Sequence, residues 1–166
     1  MCSSDLGMRD ADLDWAARTL MQQINGTVLG AGKDAERQRP SLQISYLDPT
    51  LAFHRRTLCH KDVWRVQERG FWGGLKGPSS WRASGAVDSS EWVTEINIIN
   101  LGETFQQESM HPNYWGQLAL RSCWRQAWNG GDIRGGACQR DYEGGLNSRD
   151  EPNMKLAGDP AAFRIN

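Results

Sequence analysis

Glu108-Ser109-Met110-His111-Pro112-Asn113 runs directly into Tyr114-Trp115-Gly116-Gln117-Leu118-Ala119-Leu120. From Pro112 to Trp128 the pattern is helical. Gln117, Arg121 and Arg125 form a polar stripe, and Leu120, Cys123, Trp124 and Ala127 form an apolar one. Proline is favoured at the first helical position, where its missing N–H has no partner to lose. That reading puts His111 at or beside the N-cap, at a loop-to-helix junction. The positive end of the helix disfavours an imidazolium there, and a carboxylate at Glu108 favours it. A general base needs such a balance, and an acid beside it fixes the tautomer of the ring. Spacing alone equally describes a surface histidine at a helix start with an acid nearby.

Upstream, Asp10 to about Leu29 reads as an amphipathic helix. Leu13, Ala16, Ala17, Leu20, Ile24 and Val28 make one stripe, Asp10 or Asp12 caps its start, and Gly30 ends it. Residues 30–41 then read as a loop, and Leu42 to Leu47 as a strand ending at Asp48-Pro49. Helix, short loop, strand is the grammar of an α/β domain. Residues 63–90, with Gly70, Gly73, Gly74, Gly77 and Pro78, read as a long loop. Residues 90–101 fit either a short helix around Trp92 or a strand through Ile96–Ile99. Beyond Cys138 the chain is polar, with one short segment at Met154-Lys155-Leu156.

The 166 residues suffice for one domain with a core. A net charge of −1 gives no case for nucleic acid or an anionic membrane as partner. No run approaches the roughly 18 apolar residues of a transmembrane segment. No two of Cys2, Cys59, Cys123 and Cys138 stand as C-x-x-C, so a zinc ribbon is unsupported. His54 and His60 flank Cys59 without a metal-ligand spacing, so no metal is expected.

Met1-Cys2-Ser3-Ser4-Asp5-Leu6 is what a GTG start followed by TGC TCT TCC GAT CT encodes, the end of a common sequencing adapter. The expectation is that residues 1–6 are translated adapter and that the gene enters near Gly7 or Met8. The absence of a leader is then uninformative.

The segment from Glu108 to Gln117 resembles the Asp-x-x-His-Pro motif of the SGNH (GDSL-type) esterase/lipase family, with Glu for Asp, in the form found in secreted actinobacterial members. The neighbourhood is similar too: Phe53-x-x-Arg56-x-Leu58-Cys59 after a strand, and Cys123 joined to Cys138 through a Gly-rich loop. The resemblance implies a partial three-layer α/β/α fold, flavodoxin-like, that lacks its N-terminal strands. Residues 7–140 would be the C-terminal part of the hydrolase domain, and 141–166 a polar tail. It implies a secreted carboxylic-ester hydrolase without cofactor, acting on small-molecule or lipid esters. His111 would be the base and Glu108 its acid partner.

Sequence geometry and resemblance together point to a Cys123–Cys138 disulfide; two free thiols remain the alternative. A bridge closing about 15 residues contributes roughly 3 kcal/mol and implies an oxidising compartment. The family's Gly-Asp-Ser nucleophile segment, its oxyanion-hole glycine and its Gly-x-Asn-Asp asparagine are absent. This chain would carry the base and its orienter only.

Eight tryptophans are many for this length, and they suggest a second class. Trp115, Trp124 and Trp128 on the helix read as core, or as packing for the lost half of the sheet. Trp72 and Trp81, in the Gly-rich stretch, are candidates to line a substrate pocket or to pack beneath a long loop. A Trp-rich secreted module that binds carbohydrate or cell-wall polymer without catalysis is the competing expectation.

Overall fold

The structure is a computed structural model, and it describes residues 10–57, 60, 63, 85–94 and 111–158. It is an α/β arrangement with a small mixed sheet. The first helix comprises α1 (Asp10–Trp15), a π-helical stretch (Ala16–Leu20) and α2 (Met21–Gln38). It does not stop at Gly30. Each interior glycine costs about 1 kcal/mol, and good helix formers around Gly30 and Gly32 carry the backbone through. The stop comes at Arg39-Pro40, because a residue before proline is pushed out of the helical region. The expected loop over 30–41 is therefore mostly helix.

The strand expected at Leu42–Leu47 is shorter and later: β1 is Leu47–Asp48. The lead-in is tied to α2 instead, through Ile44 N–H donating to Glu36 Oε1 at 2.6 Å. β1 pairs in parallel with β2 (Gly136–Arg140), Leu47 opposite Gly136. β2 pairs antiparallel with β3 (Met154–Ala157), Cys138 opposite Leu156 and Arg140 opposite Met154. The sheet order is β1-β2-β3.

A short α3 (Ala86–Ser89) precedes the Trp92 segment. Its Asp88 forms an ion pair with Arg140 and accepts the Gly145 N–H at 3.0 Å. α4 (Tyr114–Trp128) lies across β2 and β3. It ends where Asn129 adopts the left-handed conformation (φ 42°, ψ 42°), followed by Gly130 at φ 70°.

The core gathers Ala52, Val87, Trp92, Trp115, Ala119, Cys123, Cys138 and Met154. Cys123 and Cys138 are bonded, with Cα atoms 5.7 Å apart, and so pin α4 to the middle strand. Residues 141–158 are polar in composition, yet they bring β3 and the buried Glu151 to this unit. Trp115 is core as expected, but Trp124 and Trp128 are 63% and 60% exposed. The buried face of α4 is instead Trp115, Gly116, Ala119, Ser122, Cys123 and Ala127, so the apolar stripe is rotated from the expected one and, beyond Trp115, built of small residues. Small residues let the helix approach the sheet closely. Among the described residues no helix is long and apolar enough to cross a membrane.

Candidate active site around His111

α4 starts at Tyr114 with Asn113 as its N-cap, two residues later than Pro112 and His111 had suggested. Asn113 has extended backbone (φ −76°, ψ −169°), and its Oδ1 accepts from Trp115 N–H at 3.1 Å and Gly116 N–H at 3.2 Å. Asparagine is among the strongest capping residues, so it takes the role from the residues before it. Its Nδ2 donates to the Glu91 carbonyl at 2.7 Å, and its own N–H donates to the Trp92 carbonyl at 3.0 Å. The side chain is buried, its amide donating to Glu91 and its oxygen accepting from the first turn of α4.

Pro112 serves a different purpose from opening the helix. It bridges Val93 in an antiparallel pair, with Thr94 N–H donating to the His111 carbonyl at 2.8 Å and Asn113 N–H donating to Trp92. Those bonds flank the Val93–Pro112 pair, which is therefore the non-hydrogen-bonded kind. A proline sits there without losing a ladder bond.

The partner segment is itself fixed. Trp92 is fully buried, its N–H donates to the Arg56 carbonyl at 2.8 Å, and its indole N–H donates to the Val87 carbonyl at 3.0 Å. The Arg140 guanidinium lies 6.0 Å from the Trp92 ring centroid, within cation–π range. The first turn of α4 backs onto this segment so closely that a Cβ on Gly116 would lie 2.2 Å from the Trp92 carbonyl oxygen.

The main chain of His111 is thus held by the Val93–Pro112 bridge and the capped helix behind it, while the residue itself is exposed. A histidine so placed has a fixed point of attachment and access to solvent, which is what a proton-transferring group requires. Glu108, Trp72 and Trp81 lie outside the described residues, as do Trp64, Cys59 and the Ile96–Ile99 segment. His54 is exposed and His60 half-buried, and among the described residues no three His, Cys, Asp or Glu side chains are grouped as a metal would need.

Two features were missed from sequence. Asn113 caps α4 although Pro112 is the residue the sequence offers as the helix start; the signal for it is a capping residue one position before the helical period. Glu151 is the other. It is 1% exposed, accepting from Arg121 Nε at 2.6 Å, Arg125 Nε at 3.0 Å and Asn147 Nδ2 at 3.3 Å. Burial pushes its carboxyl up. The bonds from Asn147, Arg121 and Arg125 outweigh that and hold it below the ordinary carboxylate value. Arg121 and Arg125 carried the polar stripe of the sequence pattern, but nothing there named their partner thirty and twenty-six residues on.

No family model, curated protein or solved structure matches this chain.

Proposed function

We propose that the chain is the C-terminal part of a secreted serine ester hydrolase of the SGNH type, with His111 as general base and Glu108 as its orienting acid. The observation that carries the reading is the setting of His111. It is an exposed imidazole on a clamped segment immediately before a capped helix. In the mechanism, a serine hydroxyl attacks the ester carbonyl and His111 takes its proton. His111 then returns the proton to the departing alcohol, and water repeats the cycle on the acyl-enzyme. Glu108 accepts the other ring N–H and stabilises the imidazolium. The Cys123–Cys138 disulfide fits an oxidising compartment.

The sequence holds no Gly-Asp-Ser segment, so the chain by itself is expected to be inactive on p-nitrophenyl esters. Sequencing the native locus upstream of residue 7 tests the reading. An in-frame Gly-Asp-Ser codon run supports it; an upstream frame without one sinks it. In the enzyme rebuilt from that locus, His111→Ala lowers kcat on the order of 10⁴-fold or more.

A binding module is the second reading, favoured by the exposure of Trp124 and Trp128 one helical turn apart on α4. Indole faces presented to solvent suit stacking against sugar rings. Retention on insoluble cell-wall polymer that disappears in the Trp124→Ala, Trp128→Ala double variant would decide for it.

A further inference from the structure

We infer that the solvent face of α4 is a binding site for an acidic sugar polymer, with Arg121 and Arg125 taking the acid group and the indoles of Trp124 and Trp128 taking the rings. The inference rests on the binding reading of that face and is independent of the chemistry assigned to His111. Residues 121, 124, 125 and 128 follow the i, i+3, i+4, i+7 spacing of a single helix face, turned away from the one that meets the sheet. The indoles are exposed and the guanidiniums half-exposed. Trp92 and Trp115 are buried, as large aromatic side chains ordinarily are, whereas these two indoles stand in water. Among the described residues neither stacks on another ring or on a guanidinium.

The arginines are held in advance. Each gives its Nε–H to the same oxygen of the buried Glu151, whose other oxygen accepts from Asn147. Among the described residues neither guanidinium has an acceptor besides Glu151. Their terminal N–H groups are left for a ligand, on side chains already oriented. Fixing two long side chains before the ligand arrives removes part of the entropy that arginines lose on binding. The edge of a guanidinium fits the two oxygens of a carboxylate or a phosphate. α4 carries no acidic residue, so the cluster is two cations against the one carboxylate of Glu151, with one net positive charge.

Charge and spacing select the ligand. One net positive charge suits an isolated acid group, not the phosphate on every unit of a nucleic acid, which calls for a field of cations. The carbonyl end of α4 adds partial negative charge near Arg125. A small free anion is therefore poorly served, and stacked rings must supply part of the affinity. Trp124 and Trp128 are one turn apart, about 5–6 Å between Cβ atoms, which is close to the advance of one ring along an extended polysaccharide. Around the helix the arginines lie between the indoles and the Glu151 loop, where Asn147 reaches Ser122. An acid on one ring and the face of its neighbour are met side by side.

Affinity electrophoresis of the full chain through gels holding hyaluronan, which bears a carboxylate on every second ring, tests the inference. Retardation is expected, with a dissociation constant about tenfold weaker for the methyl-esterified polymer and for hyaluronan at high salt. Both comparisons use the parent chain, so they stand even if a variant folds poorly. Arg121→Gln and Arg125→Gln, checked for folding by circular dichroism, are each expected to weaken hyaluronan binding about tenfold and to leave binding of the ester form unchanged. Trp128→Ala is expected to weaken both forms alike. Tighter binding to a phosphomannan than to hyaluronan would support the site and name phosphate as its acid. Equal binding of the two hyaluronan forms, or arginine variants that bind as the parent does, would overturn the inference. Retention on insoluble cell-wall polymer that needs the tryptophans but not the arginines would also overturn it, while leaving the binding reading intact. Absence of retention on every polymer removes both. Co-sedimentation with phosphatidylglycerol vesicles by a chain that binds no polymer would give the face to a membrane and overturn the proposal.

Discussion

Asn113 Nδ2 donates to the Glu91 carbonyl across 22 residues of sequence, at 2.7 Å. The same side chain caps α4, so one residue fixes both where the helix starts and what it starts against. Position and orientation of the His111 segment follow from that bond and from the Val93–Pro112 pair beside it.

Asn113→Ala should therefore cost more than an ordinary cap. It removes the cap, worth about 1 kcal/mol. It also removes the buried hydrogen bond to the Glu91 carbonyl, worth a further ~1–3 kcal/mol. Urea unfolding of the variant should show roughly 2–4 kcal/mol lost. Asn113→Asp keeps the cap acceptor and loses the donor, so it should fall between the two; an Asp variant as stable as the parent would refute the role assigned to the Glu91 bond.

Gly116 has no room for a side chain. A methyl there would meet the Trp92 carbonyl at 2.2 Å and Phe53 Cε1 at 2.9 Å, and the first of these is backbone that cannot swing aside. Gly116→Ala ordinarily favours a helix by about 1 kcal/mol. Here it should destabilise by about 2 kcal/mol or more, because α4 must move off the Val93 segment. Gly30→Ala, in open space on α2, should instead stabilise by up to about 1 kcal/mol. Thermal melts of the two variants should shift in opposite directions.

The Cys123–Cys138 bond closes a loop with sequence separation 15. Its loss should cost about 3 kcal/mol on the chain-entropy argument. Both sulfurs lie in the core, so the Cys123→Ala, Cys138→Ala pair tests the link while keeping small apolar groups there. A melting temperature equal to that of the oxidised parent would show that the bridge adds nothing to the packing around it.

Glu151 makes stability pH-dependent in a defined direction. Its folded-state pKa is held below the ordinary value of 4.5, so its contribution is fully present above that pH and is lost as acid titrates the folded carboxylate. The melting temperature should fall as pH drops from about 5 downward. Glu151→Gln should flatten that slope and lower stability at pH 7 by roughly 3 kcal/mol, less if the half-exposed Arg121 and Arg125 turn to water. An unchanged acid slope in Glu151→Gln would count against the assignment.

Local signals gave α4, the first helix and the α/β class, because helical periodicity is carried by neighbours three and four residues apart. The boundaries needed more. Gly30 is a stop signal only if the helix beyond it is weak, and Pro112 is a start signal only if no better cap follows. In the structure, Asn113 follows Pro112, and residues to Gln38 continue the helix. β1 could not be located from its own alternation, because its two residues are strand only by pairing with Gly136 and Ala137, far along the chain.

The order of residues by itself determined that an imidazole stands near a helix entrance with an acid three positions earlier; the joining of Cys123 to Cys138 came from the structure. Only the tertiary structure decided which face of that helix is buried, what the entrance is bound to, and that Glu151 sits inside among arginines. Periodicity tells how residues are arranged around a helix axis. It does not tell which side meets the sheet, because that depends on the Val93 segment and β3, whose places are set by contacts between residues distant in the chain.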